Sequence, residues 1–413
     1  MTVSALFFMT SASQAHMFGP VARVLADRGM QVHLVWCQLL RGDVSPVRAL
    51  AEQGNPGSSL EPPYGRHVRH LMDHIRPDVL LIGHDCSTID RLFIRHAHRT
   101  GAVVLLVQDG VLAATRRVAP LTLPAISRLC RGGLAILRSP SDTLERRLKY
   151  LWFEVVYGGI RLRRPYGRGN WDWFAVFGEA VKDRLVLEGL SPDRIVVTGS
   201  VKLDALATVR RMRSERSQVS TPTKQSQVTT IVLLTQCFVE GGEWNSAQRR
   251  AFVDAVIQCA NSTGAKLIVK VHPREKDVRV YQEALESARN GGQVYRDTSL
   301  ADLFLECSVV VTVSSTAALE AMACGIPAIL FEPYSNEGAD FYRDSGVLRA
   351  KTKDGLLAAL GIVAEGGPQM AEHMRAMQEF VCREVHITEG SAAGRIACLV
   401  ENIARSPEVA SHA

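Results

Sequence analysis

A chain of 413 residues is longer than one ordinary hydrophobic core organises, so two domains are expected. With 46% hydrophobic and 22% charged residues and no low-complexity tract, the composition is that of a globular α/β protein and excludes a disordered or fibrous one. A net charge of +6 gives no footprint for nucleic acid, and no apolar run approaches the roughly 18–20 residues of a membrane span.

The opening MTVSALFFMTSASQA has a short apolar centre and no basic lead-in, and an amphipathic segment follows directly. It is expected to be a first β-strand and not a secretory leader, which places the chain in the cytoplasm. Nine cysteines are scattered with no CxxC pair, several within apolar runs, and are expected to be reduced, buried thiols. Apolar runs then alternate with helical stretches: MFGPVARVLADRG, MQVHLVWC, a polar helix ending at HIRP, DVLLIGH, IDRLFIRHAHRTG and AVVLLVQDG. β-rich runs separated by helical periodicity indicate βαβ units on a parallel sheet. FAVFG and RIVVTGS, on either side of EAVKDRLVLEGL, read as the last strands of this first half.

Within the first half, His67, His70 and His74 share one face of a helix, but no Glu or Cys accompanies them and no DxD pattern occurs; no metal is expected. Between Arg116 and Arg168, twelve Lys and Arg face only Asp142, Glu145 and Glu154, with Leu, Ile, Trp152 and Phe153 interleaved. This basic insertion, 115–170, is either a solvated helix pair or, over 115–168, a contact with an anionic membrane surface, which would make the location peripheral on the inner face.

TVRRMRSERSQVSTPTKQSQ is polar and strand-poor, and a second α/β series begins at TTIVLLTQ. The expected division is an N-terminal Rossmann-like domain at 1–206, a linker at 207–228 and a second α/β domain with closing helices at 229–413. In the second half, LIVKVHPREK puts Lys270 and His272 on one face at a strand's carboxyl end, where ligands of open α/β sheets bind. VSSTAALEAMACGIPAILFE follows a strand with Ser314, Ser315 and Thr316 at a helix start and Glu320 one turn in. Unpaired amides and the positive dipole end suit a diphosphate, and Glu320 suits ribose hydroxyls; plain helix capping by Ser315 is the competing reading.

The His272-Pro273 pair, the Ser314-Ser315-Thr316 helix with its Gly325-Ile326-Pro327 ending, and FGEAVKDRLVLEGLSPDRIVVTGSVKLDAL ending at Asp204 and Leu206 together resemble one branch of the GT-B superfamily. That branch holds bacterial sialyl- and polysialyltransferases, capsule polysaccharide transferases, teichoic acid glycerophosphotransferases and hydrolysing UDP-N-acetylglucosamine 2-epimerases. The resemblance implies two Rossmann-like domains facing a central cleft, and a nucleotide-sugar substrate with no further cofactor. Lys270, His272, Ser314, Ser315, Thr316 and Glu320 would hold the donor, with His272 also serving catalysis.

From the sialyltransferase-like members the resemblance implies that Asp109, before Gly110, is a general base, with Gln108 where those members carry a first carboxylate. The epimerases pair a Gly with an Asp where this chain has Gly83, His84 and Asp85, and carry a Glu where it has Gln108. Asp85 and His16 are the acceptor- or sugar-binding candidates, and an Asp85–Asp109 acid/base couple is one arrangement to test. The function expected is transfer of a sugar from a nucleotide donor to a surface polysaccharide or lipid-linked acceptor. A hydrolysing 2-epimerase, a CDP-polyol phosphotransferase and a non-catalytic scaffold are the alternatives.

Overall fold

The structure is a computed structural model of the whole chain, described here over residues 3–37, 50, 58–60, 64–111, 148–149, 152–153, 156, 166–219, 228–275, 277–334, 337–387 and 391–405. The described residues form two compact units, 1–201 with 386–413, and 202–385.

The first unit carries a seven-stranded parallel sheet in the order β3-β2-β1-β4-β5-β6-β7. Its strands are β1 (Ser4–Met9), β2 (Gln31–Cys37), β3 (Ser58–Leu60), β4 (Val79–Ile82), β5 (Val103–Val107), β6 (Trp173–Val176) and β7 (Ile195–Val197). All residues of β1, β4 and β5 are buried, as expected of a parallel sheet covered on both faces, which is why they read as continuous apolar runs. The opening segment is thus an interior strand of the sheet, between β2 and β4.

Local chemistry sets the helix ends. Ser11 caps α1 (Ala12–Asp27), and Ser87 and Asp90 form a reciprocal capping box on α3 (Thr88–Thr100), which stops at Gly101 in the left-handed region. Between them lies α2 (Tyr64–Ile75), with His67, His70 and His74 on its exposed side. After β6 comes α4 (Glu179–Leu187).

The second unit opens with α5 (Ala207–Val219) and has a six-stranded parallel sheet in the order β10-β9-β8-β11-β12-β13. Its strands are β8 (Thr230–Leu234), β9 (Lys266–Lys270), β10 (Gly292–Tyr295), β11 (Val309–Thr312), β12 (Ala328–Phe331) and β13 (Leu348–Ala350). The helices are α6 (Ser246–Thr263), α7 (Arg279–Leu285), α8 (Leu300–Glu306), α9 (Thr316–Ala323), α10 (Lys353–Glu365) and α11 (Pro368–Glu384). The last helix, α12 (Ala392–Arg405), belongs to the first unit.

Two sequence expectations are corrected. Residues 207–228 are not all linker, because α5 occupies the first part and Arg213 donates 3.0 Å bonds to the Phe304 and Cys307 carbonyls at the end of α8. Nor does the second unit run to the C-terminus. Ala393, Ile396, Ala397, Val400 and Ile403 of α12 are buried in one core with Phe7, Met17, Phe18 and Val21. Each large apolar side chain there contributes roughly 1.5–3 kcal/mol on burial. Arg395 donates to the Thr198 carbonyl at 2.7 Å, and Arg28 pairs with Glu401 at 3.0 Å.

Of the described cysteines, Cys37, Cys259, Cys307 and Cys324 are buried, whereas Cys382 and Cys398 are exposed, against the expectation that all are buried. Most of the basic insertion, including Arg116 to Arg147 and Arg161 to Arg164, lies outside the described residues. Of its described part, Leu148, Trp152 and Val156 are exposed, and Phe153 is buried against Tyr64 with ring centroids 5.3 Å apart. Among the described residues no helix is long and apolar enough to cross a membrane.

Candidate functional site

In each sheet the strand order reverses at one point, and polar side chains gather at the strand ends beside it. In the first unit the reversal lies between β1 and β4. Asp109, two residues beyond β5, is buried at 7% exposure. Its Oδ1 accepts a 2.8 Å hydrogen bond from the Ser13 hydroxyl at the start of α1, and its Oδ2 lies 3.4 Å from His84 Nε2. The Asp109 backbone N–H donates to the Tyr166 hydroxyl at 3.0 Å, and the Tyr166 ring packs edge-on against His84, centroids 5.2 Å apart. Burial, followed by the charge of Asp109, raises the Tyr166 pKa well above its ordinary value, so Tyr166 is a neutral donor and acceptor.

Asp85 is fully committed within the fold. It is buried at 1% exposure, and its two oxygens accept from the backbone N–H groups of Gly167 (3.0 Å) and Gly169 (2.5 Å). Burial raises its pKa while those amides oppose the shift. Asp85 thus anchors the 166–170 turn that carries Tyr166, and a Cβ at Gly169 would meet its carboxylate at 2.7 Å. Gln108, at 1% exposure, is locked in the same way: Oε1 accepts from Phe177 N–H at 2.8 Å and Nε2 donates to the Gly110 carbonyl at 2.9 Å. His16 lies on the exposed side of α1.

In the second unit the reversal lies between β8 and β11, and the end of β8 ties both sequence motifs together. Thr235 accepts from the His272 backbone N–H at 2.9 Å and donates to Glu275, which is fully buried and also accepts from the Tyr281 hydroxyl. Arg249 lies 3.6 Å from the same carboxylate. The His272 ring accepts the Arg274 backbone N–H at Nδ1 (3.1 Å). Its pKa is lowered to about 4, first by burial and then by Arg274. A neutral ring accepting at Nδ1 carries its proton on Nε2, so His272 is an uncharged donor. Lys270 donates to the Arg296 carbonyl, and burial lowers its pKa.

Gln236, the residue after Thr235, accepts from Ser314 N–H at 2.8 Å and donates to the Ser314 hydroxyl at 3.3 Å. Ser315 is the N-cap of α9, accepting from Ala317 N–H at 3.2 Å, and the Tyr342 hydroxyl donates to its carbonyl at 2.7 Å. Capping uses the oxygen of Ser315 and leaves its hydroxyl proton for a ligand. Thr316 opens α9, and Glu320 is buried a turn further on. Ser314, Ser315, Thr316 and Glu320 thus share one strand end and helix start. Sequence reasoning missed Thr235, Gln236 and Tyr342; the one available signal was the polar Thr-Gln pair closing an apolar strand.

Two α/β units, each with an all-parallel sheet and polar groups at its strand-order reversal, have the architecture of the GT-B fold. The family model for UDP-N-acetylglucosamine 2-epimerase matches residues 172–381, about half of the chain and all of the second-unit residues above. The chain belongs to the UDP-N-acetylglucosamine 2-epimerase family. Among similar solved structures is the UDP-GlcNAc 2-epimerase from Neisseria meningitidis bound to UDP-GlcNAc, at 14% identity and TM-score 0.62, covering 97% of this chain and 100% of that one. The glycotransferase of kitacinnamycin is similar at 15% identity and TM-score 0.55 (97% and 99%), and the wall teichoic acid polymerase TagF at 11% and 0.55 (98% and 89%). A comparison with curated proteins gives no match.

Proposed function

We propose that the chain binds a UDP-linked N-acetylated sugar in its second unit and breaks the bond between the anomeric carbon and the diphosphate, releasing UDP. The observation that carries this reading is the family match over 172–381, because that stretch contains Lys270, His272, Ser314, Ser315, Thr316 and Glu320. The amides at the start of α9 and the neutral His272 N–H suit the diphosphate, whose negative charge grows as the bond breaks. Glu320 suits the ribose hydroxyls.

Family membership favours the 2-epimerase course for the sugar. Inverting C2 requires the C2–H bond to break, and its electron pair can expel UDP as the C1–C2 double bond forms. Adding water back then gives the free, epimerised sugar. The proton must leave to a base, and among the described residues the Asp109 centre is the candidate for that role, since Gln108 is a locked amide.

A second reading, transfer to a hydroxyl of a glycan or lipid-linked acceptor, is favoured by Gln108 itself. The resemblance to epimerases implies a glutamate there, and the Gly110 carbonyl facing the Gln108 amide disfavours one. In transfer, the Asp109 centre takes the acceptor proton while the acceptor oxygen displaces UDP. Exposed Leu148, Trp152 and Val156, within a strongly basic stretch of sequence, support an anionic membrane surface as the place where such an acceptor is met.

The test is UDP release from UDP-linked N-acetylhexosamines in deuterated water, with and without a lipid or polysaccharide extract. Acceptor-independent release with deuterium at C2 of the free sugar supports epimerisation; release only with acceptor supports transfer. No release from any UDP-sugar overturns both.

A further inference from the structure

Asp109 is the residue expected to act as base, yet the structure encloses it. Its side chain is 8% exposed, one oxygen accepts from Ser13, and the other lies 3.4 Å from His84 Nε2. The side chain of His84 is 34% exposed and is the member of the pair that meets solvent. It sits two residues beyond β4, the strand between β1 and β5, so the helix start after β1 and the ends of β4 and β5 supply Ser13, His84 and Asp109. Tyr166 braces both members, through its ring on His84 and its hydroxyl at the Asp109 backbone. A buried carboxylate, fixed on one side by a hydroxyl and facing a half-exposed imidazole on the other, is the arrangement in which the carboxylate orients and the imidazole exchanges protons.

We propose that His84 is the catalytic residue that exchanges a proton with the substrate, and that Asp109 is its positioning residue. This inference rests on the reading that the first unit handles a proton during UDP release. In the step, the His84 imidazole takes the proton from C2 or from the acceptor hydroxyl. The electron pair of the broken bond forms the C1–C2 double bond or the new C–O bond, and UDP departs with the electrons of the bond to C1. The imidazolium lies against the Asp109 carboxylate and then returns the proton to water or to C2. The other charged groups around it are Asp85 and Asp90, the latter within reach of the His84 charge, and the Asp85 charge in turn acts on Arg168.

The experiment compares wild type, H84A, H84Q, D109N and the H84A/D109N double variant for UDP release, UDP binding and pH profile, and adds imidazole to H84A and to D109N. Expected are losses of about 100-fold or more in turnover with UDP affinity unchanged, a double variant no worse than either single one, and imidazole rescue of H84A but not of D109N. In the ligand-free protein, nitrogen chemical shifts should place the neutral His84 proton on Nε2 in wild type, and D109N should abolish that preference. H84A or H84Q with wild-type turnover and pH profile, alongside an inactive D109N, would overturn the proposal in favour of Asp109 itself. An Nε2 preference unchanged by D109N would overturn the pairing whatever the substrate. If wild type releases no UDP from any UDP-sugar while the tautomer responds to D109N, the functional reading is what has failed.

Discussion

Gln236 and Ser314 hold one another across neighbouring strand ends: the Ser314 N–H donates to the Gln236 side-chain oxygen at 2.8 Å, and the Gln236 amide donates to the Ser314 hydroxyl at 3.3 Å. That pair fixes the turn between β11 and α9. Replacing Gln236 by Ala leaves the turn unbraced at the point where the diphosphate is proposed to bind. UDP affinity should fall about 5- to 30-fold, as expected for the loss of one or two oriented hydrogen bonds of about 1 kcal/mol each. Calorimetric titration with UDP measures it, and an unchanged dissociation constant would remove this turn from the site.

Asp85 should behave as a structural residue. Asn in its place presents an NH2 group to one of the two backbone N–H donors it now accepts from, at a position that is 1% exposed. The expected cost is about 1–3 kcal/mol in urea unfolding of the first unit, with UDP binding by the second unit intact. Gly169→Ala should act in the same direction, because its Cβ would meet the Asp85 carboxylate at 2.7 Å. A D85N protein with native stability but no turnover would return Asp85 to the chemistry.

These residues show where the sequence was readable. The strands were legible because parallel strands buried on both faces are continuous apolar runs, as in Val103–Val107 and Val309–Thr312. β3 and β13 escaped notice because SSL and LRA carry no such run, unlike the equally short edge strand β7 with its IVV. α5 was read as linker because TVRRMRSERSQV has no apolar stripe; contacts such as that of Arg213 with α8 hold it, and those appear only in three dimensions. His272 and Ser314 announced themselves as polar residues closing apolar strands. Gln236 closes an apolar strand in the same way, but its role as a brace was not legible, since its partner Ser314 is 78 residues away. Asp109 was singled out, but whether its carboxylate faces substrate or His84 depends on packing between β4, β5 and Tyr166, which no local pattern encodes.

Gln108→Glu tests whether the side chain is held by its amide. A glutamate keeps the acceptor for Phe177 N–H but loses the donor to the Gly110 carbonyl, placing two oxygens together in a buried site. The variant should lose about 1–3 kcal/mol at pH 8. The loss should shrink toward pH 5, because a protonated glutamate regains a donor. A variant as stable as wild type at pH 8 would show that a carboxylate is tolerated there.

Trp152→Glu with Leu148→Glu tests the exposed apolar side chains of the basic stretch. Wild type should sediment with vesicles containing phosphatidylglycerol and much less with neutral ones, and the double variant should stay in the supernatant while releasing UDP in solution as wild type does. Salt should weaken the wild-type contact, since basic side chains near an anionic surface contribute about 1 kcal/mol each at low screening. Equal sedimentation of both proteins would assign these side chains to another partner.

The pH dependence of stability should carry a contribution from His272. Its pKa falls from 6.5 to about 4 in the folded chain, first because burial penalises the imidazolium and then because Arg274 repels it. Between those values the unfolded chain binds a proton that the native one does not, so this contribution is fully present above about pH 6.5 and is lost as pH falls toward 4. Buried carboxyls with raised pKa, Asp90 at about 6 among them, act in the opposite direction, but they are common to wild type and to His272→Asn. The difference between the two proteins therefore isolates the imidazole. The urea midpoint of H272N should fall less steeply than that of wild type between pH 6.5 and 4.5, and its affinity for UDP should be lower at every pH. Parallel midpoint curves would mean that His272 titrates alike in the folded and unfolded chain, and below about pH 6.5 the neutral Nε2 donor would give way to a charged one in the binding of the diphosphate.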